Sequence, residues 1–174
     1  RYDDLDRRKW FESFKGGMMF YLGCHLIDLV VQIQGFPKKV IPLNTQTGLD
    51  GIYTDDLGFA ILQYENGISI VRMGGVEIGG FERRQLVICG SKSTIELRPL
   101  EANISEEVIG KKYMLTTKQR ECVLEQNGHC KINESESEPI QRYEKMMLSF
   151  AEMVRGEKEN PYTLDYELAL FKTI

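Results

Sequence analysis

Much that a sequence can announce is missing from this one. No apolar run reaches the ~18 residues of a membrane-spanning helix, so no membrane partner is expected. The N-terminal stretch, RYDDLDRRKW, is charged and does not read as a signal peptide. Positive charge is scattered: Lys38-Lys39, Arg83-Arg84 and Lys111-Lys112 are pairs rather than patches, and the net charge is −4. That balance leaves no electrostatic footprint for nucleic acid. The four cysteines, Cys24, Cys89, Cys122 and Cys130, form no C-x-x-C pair. We read them as the reduced, mostly buried thiols of a cytoplasmic protein. Cys122, His129 and Cys130 have the residue types of a zinc site, but their spacing matches no usual ligand set. There is no G-x-G-x-x-G and no initiator Met, and the closing TLDYELALFKTI reads as a helix that ends without a cap. We therefore expect residues 1–174 to be one domain excised from a longer protein.

What is present is ordinary globular material: 42% hydrophobic and 28% charged residues in a chain of 174. The organising stretch is Lys15 to Val40, KGGMMFYLGCHLIDLVVQIQGFPKKV. It opens on a Gly pair, runs as an apolar helix and stops at Gly35-Phe36-Pro37. A helix apolar nearly all round is a buried one. Tyr21, His25 and Asp28, four and three apart, make one polar stripe along it. Before it, residues 1–14 carry Trp10, Phe11 and Phe14 at helical spacing among charges. Trp10 reads as packing or as a ligand contact.

After the central helix, Lys39 to Thr45 reads as a strand that Pro42 confines to an edge or strand end. Leu57 to Tyr64 and Ile68 to Met73 flank Glu65-Asn66-Gly67, a strong hairpin signal. Leu57, Phe59 and Ile61 fall on one side of the first strand, Ala60, Leu62 and Tyr64 on the other. Both faces of such a sheet need covering, and a partner chain is one way to do it. Gln85 to Cys89 and Thr94 to Leu97 make a second hairpin. Residues 101–139 are polar, with strands expected at 112–117 and 121–124 and an exposed linker at 133–139. Ile140 to Arg155 is a helix closed by Gly156, and Thr163 caps the last one, with Asp165 and Glu167 in its first turn. Bunched strands between helices argue an α+β fold, a largely antiparallel open sheet with helices on one face.

Taken in order, these pieces resemble the C-terminal domain of the Gfo/Idh/MocA oxidoreductases, relatives of glucose–fructose oxidoreductase and inositol dehydrogenase. The features are Gly16-Gly17, His25 with Asp28, Gly35-Phe36-Pro37, the Tyr64 to Gly67 hairpin, Ile88-Cys89-Gly90-Ser91 before Ile95-Glu96-Leu97, and Asn160-Pro161-Tyr162-Thr163. The resemblance covers most of residues 10–170. It implies the fold of a glyceraldehyde-3-phosphate-dehydrogenase-like C-terminal domain. It also implies a separate N-terminal Rossmann domain that holds NAD or NADP and supplies a catalytic lysine from a Glu-Lys-Pro segment. No cofactor is then expected on this chain alone. The expected substrate is a sugar, polyol or related hydroxyl compound, and the open sheet face is expected to make a homo-dimer or tetramer.

The resemblance makes His25 the catalytic candidate, since histidine takes a hydroxyl proton near neutral pH. From position alone it is equally a core histidine satisfied by backbone or by Asp28. The family's dehydrogenases commonly carry an Asp four residues before this histidine, and here that place holds Tyr21. A phenol is a poor substitute for a carboxylate orienter. Tyr21 is then a pocket wall or a core residue, and Asp28 a brace for His25 or for nearby backbone. Glu77, Arg83 and Arg84 sit in a Gly-flanked loop and either cradle a carboxylate or sugar or are solvated loop charges. Three readings stand: the substrate-binding and oligomerising half of an NAD(P)-dependent oxidoreductase, a non-catalytic ligand-binding or assembly domain of the same shape, or a standalone α+β protein.

Overall fold

The structure is a computed structural model, and it describes residues 5–13, 15–80, 82–106, 113–141 and 143–174. Residues 1–4 and Phe14 of the expected N-terminal helix, and the Lys111-Lys112 pair, lie outside the described residues. The chain is α+β, with antiparallel pairing in each strand ladder, and it divides into two compact units. One comprises residues 1–78 and 161–174, the other residues 79–160.

The first unit holds helices α1 (Leu5–Glu12), α2 (Cys24–Gln34) and α4 (Leu164–Thr173), and strands β1 (Lys39–Thr45), β2 (Leu57–Gln63) and β3 (Ile68–Gly74). The strands pair in the order β1-β2-β3, with Ile41 opposite Ile61 and Ile61 opposite Ile70. β1 is an edge strand, as its proline requires. Tyr64 N–H donates to the Gly67 carbonyl across the Asn66-Gly67 turn, 2.9 Å. Alternation along the pleat sends Ala60, Leu62 and Val71 to one face, where they meet Met19, Ile27 and Val31 of the helical segment. Leu62 is wholly buried and Ile27 nearly so. Each such side chain is worth about 1.5–3 kcal/mol of apolar transfer. The other face of this sheet carries Leu43, Ile68 and Ile70, exposed at 58%, 65% and 62%, with Ile41, Phe59 and Ile61 half-buried among them.

Glycines let the methionines into this core. A Cβ at Gly23 would sit 2.3 Å from Met19 Sδ, and one at Gly58 would sit 3.1 Å from Met19 Cβ. At Gly75 it would meet Met18 Cε at 2.4 Å. Met18 and Met19 therefore fill spaces that exist because those positions lack side chains.

The second unit holds β4 (Leu86–Cys89), β5 (Ser93–Leu97), β6 (Ala102–Glu106), β7 (Tyr113–Thr116), β8 (Lys118–Leu124), β9 (Cys130–Glu136), β10 (Ile140–Gln141) and α3 (Glu144–Val154). The ladders run β4-β5-β8-β9 and β10-β7-β6. Here the structure corrects three expectations. Residues 133–136, expected as linker, belong to β9, where a full ladder with β8 outweighs a poor strand composition. Residues 102–106 form a strand with no period to announce it. The helix expected from Ile140 begins at Glu144, because Ile140 and Gln141 pair with Leu115 and Met114 of β7. Gly156 does follow α3 in the left-handed region, at φ +75°.

The cysteine reading is corrected as well. Cys122 and Cys130 are joined by a disulfide, Cys89 is exposed and Cys24 is half-buried. No helix among the described residues is long and apolar enough to cross a membrane.

Candidate functional site

The helical segment that bears the predicted site begins where Gly17, at φ +61°, passes Asp55. A Cβ on Gly17 would lie 2.6 Å from the Asp55 carbonyl oxygen. That same oxygen accepts the Met18 N–H at 2.7 Å. The Gly pair thus pins the start of the helix to the loop ahead of β2. In that loop the buried Asp56 accepts both the backbone N–H and the hydroxyl of Thr47, at 2.9 and 2.6 Å.

The helix is not one continuous α-helix. Met19–Gly23 forms a π turn and the α-helix follows from Cys24 to Gln34. A π turn carries one more residue per hydrogen-bonded turn, so positions four apart across it no longer stack as an α-helix would have them. The expected stripe of Tyr21, His25 and Asp28 is accordingly split. Tyr21 is half-buried, with its ring edge-on to Trp10 at 5.5 Å and to Phe11 at 5.6 Å between centroids. Phe11 is buried, while Trp10 stays 49% exposed. α1 and the π turn therefore share a small aromatic wall.

Nor is the helix buried all round. Ile27 and Val31 face the core, whereas His25, Gln32 and Ile33 are exposed. His25 projects from the open side of α2, and its ring makes no hydrogen bond to a described residue. The expectation that Asp28 braces His25 is corrected: both of its oxygens are taken elsewhere. Oδ1 accepts the Tyr166 hydroxyl of α4, and Oδ2 accepts the Gln32 amide at 2.9 Å. Burial first, and the Asp28 carboxylate second, push the Tyr166 hydroxyl up to about 12. Phe36 and Tyr162 flank the Tyr166 ring at 5.6 and 5.9 Å. Cys24 donates its thiol to the Tyr21 carbonyl at 3.8 Å, and burial raises its pKa. Gln32 was legible at four residues from Asp28. Tyr166, which lies 138 residues from Asp28, had no local signal at all.

Two of the three loop charges are held in ion pairs. Glu77 pairs with Arg72 of β3, and Arg84 pairs with Glu101 at 3.2 Å. Arg83 is exposed. Glu77 belongs to the first unit and the two arginines to the second. The glycine-rich run at 74–80 leads into strand β4 rather than into a helix N-terminus, so it lacks the helix-end amides that hold a dinucleotide pyrophosphate. A cleft in the second unit, lined by Val123, Leu124, Glu125, Gln126, Asn127, Lys131 and Asn133, contains none of the predicted site residues. Among the described residues, no three His, Cys, Asp or Glu side chains are placed to hold a metal ion.

Similarity to known proteins follows the fold. The protein yvaA of Bacillus subtilis, assigned as an oxidoreductase, superposes with a TM-score of 0.63 at 18% identity, over 95% of this chain and 49% of its own. An assigned NADPH-dependent oxidoreductase of Desulfitobacterium hafniense gives 0.65 at 12% identity, over 91% and 45%. An assigned oxidoreductase of Klebsiella pneumoniae gives 0.58 at 19%, over 91% and 45%. The chain thus spans about half the length of these structures. No curated protein is significantly similar to it. The family profile described as the GFO/IDH/MocA C-terminal domain matches residues 1–96. The match takes in the Gly pair, the helix bearing His25 and Asp28, and the three-stranded sheet beneath it, and on that evidence the chain belongs to the GFO/IDH/MocA C-terminal domain family.

Proposed function

We propose that this chain is the substrate-binding and oligomerising half of an NAD(P)-dependent oxidoreductase that acts on a hydroxyl compound such as a sugar or polyol, in the cytoplasm. The observation that carries the reading is an exposed His25 on the open side of α2, in a chain of this family. In this reading the substrate sits against that side of α2, with Trp10 and Tyr21 as an apolar wall for a ring face and His25 taking the proton from the reacting hydroxyl. Asp28 acts at one remove: held by Tyr166 and Gln32, it fixes α2 rather than the imidazole. His25 then works without a carboxylate behind it. The nicotinamide cofactor belongs to a separate N-terminal Rossmann domain, which also contributes the catalytic lysine. Glu77 and Arg84 are already engaged in ion pairs, which argues against a substrate role for those two.

The exposed outer face of β1-β2-β3 supports self-association, since an apolar patch of that kind on a small domain marks an interface. We expect a dimer or tetramer in sedimentation at tens of micromolar, broken by Ile70→Glu; a wild-type monomer there would remove the oligomerising role. The catalytic role is tested on the full-length parent by titrating NAD and NADP and assaying sugars and polyols with wild type and His25→Ala. A loss of turnover of about 100-fold or more, with cofactor affinity unchanged, is the expected result for a general base. Unchanged turnover would make His25 a surface residue. A parent that binds no nicotinamide would leave this domain with the second reading, ligand binding or assembly without catalysis.

A further inference from the structure

Strand β9 is the edge of its ladder, and every one of its residues is exposed. Its ion pair to β8, Arg120 with Glu134 at 3.7 Å, is solvent-exposed and worth little. What holds it is the hydrogen-bond ladder and one covalent bond. In the register Cys122 lies opposite Ile132, and Leu124 opposite Cys130. With a side-chain period of two, all four share a face, and the two cysteines meet diagonally with Cα atoms 5.8 Å apart. Cys130 is exposed and Cys122 half-buried, so the bond lies open to an attacking thiolate.

A third cysteine stands in the same row. Cys89 is opposite Thr94, and Thr94 is opposite Cys122. One strand lies between the two sulfurs' strands, so their Cα atoms are roughly 9–10 Å apart, beyond the ~7 Å limit for a disulfide. Cys89 cannot substitute for either partner without moving the sheet.

We propose that Cys122–Cys130 is a reducible clasp on edge strand β9. In the reaction a small dithiol delivers two electrons and two protons to the sulfur–sulfur bond. Cys122 and Cys130 become thiols, and the dithiol closes into its own cyclic disulfide. Once open, β9 is held by its ladder alone and frays from β8, which then presents an unpaired edge. The clasp therefore sets, by the thiol balance around the protein, whether the ladder ends at β8 or at β9.

The test uses the 174-residue chain purified without reductant. Unfolded in denaturant with N-ethylmaleimide, it should take up two labels, on Cys24 and Cys89, and four after reduction. Native protein in dithiothreitol should then show amide exchange in residues 130–136 at least threefold faster, with β2 and β3 unchanged. Cys122→Ser/Cys130→Ser should match the reduced protein; if that variant does not fold, reduced wild type reads the same quantity. Four labels without reductant would overturn the proposal. So would a bond that yields to dithiothreitol only in denaturant, or β9 exchange that changes less than threefold on reduction.

Discussion

The two units bury their side chains unequally. In the first, Met18, Met19, Ile27, Val31, Ala60, Leu62 and Val71 are all buried, and the methionines fit against glycines. In the second, the buried apolar residue among those described is Leu115; α3 buries none, and β9 is exposed at every position. The first unit is therefore held by packing between helix and sheet, a term that grows with apolar area removed from water. The second is held mainly by strand ladders and one disulfide. Its helix displays Met146, Met147, Phe150 and Val154 at 55–70% exposure, which is apolar area still open to water.

The comparison breaks most easily at matched truncations. Leu62→Ala in the first unit should cost about 3 kcal/mol, the middle of the range for a buried leucine with limited collapse around it. Phe150→Ala removes a larger side chain from α3, yet should cost under about 0.5 kcal/mol because most of it is already hydrated. Urea unfolding of both variants checks this. Equal losses would mean that α3 is covered in solution, and the contrast between the units would disappear.

How far the sequence could be read follows the same division. The Asn66-Gly67 hairpin, the edge position of Pro42 and the Thr163 cap, whose hydroxyl accepts the Tyr166 N–H at 3.2 Å, were legible because each is decided by neighbours in the chain. So was the shared face of Ala60 and Leu62, decided by strand alternation, but not that this face rather than the equally apolar other one is the buried one. In the second unit β6 and β9 were illegible: NESE at 133–136 has no apolar period, and only the ladder with β8 makes it a strand. At the candidate site, the residues were named correctly as polar positions on one helix, but their grouping was not. At the π turn of Met19–Gly23 the Met19 side chain lies against Gly23, a packing fact with no motif. The partner of Asp28 comes from the other end of the chain.

That partner gives a sharper test within the well-packed unit. Tyr166→Phe removes the hydroxyl bonded to Asp28 and should cost about 1 kcal/mol near neutral pH. The sign with pH follows from the raised value. A tyrosine held at about 12 in the fold, against an ordinary 10, favours the folded state while protonated in both states. Its contribution is complete below pH 10 and fades as pH climbs toward 12. The stability gap between wild type and variant should therefore be constant from pH 6 to 9 and close above pH 10. A gap that stays open would mean that the loss comes from packing rather than from the hydroxyl.

Tyr64 is the opposite case in the same unit, and the smallest effect. Its ring packs against the Leu62 cluster, but its hydroxyl oxygen is enclosed with no hydrogen-bond partner among the described residues, and burial raises its pKa. An enclosed donor with no acceptor costs free energy that the ring's burial must offset. Tyr64→Phe keeps the ring and deletes the orphan, so it should stabilise by about 0.5 kcal/mol near neutral pH. The sign with pH matches that of Tyr166: the raised pKa costs wild type stability as pH rises past 10, so the advantage of the variant should widen there. Two tyrosines to phenylalanine, some hundred residues apart on one core, should thus move stability in opposite directions, because one hydroxyl has the Asp28 carboxylate and the other has no partner among the described residues. A thermal melt of Tyr64→Phe that falls below wild type would show that the hydroxyl is satisfied in solution, by water or by a second copy of the chain.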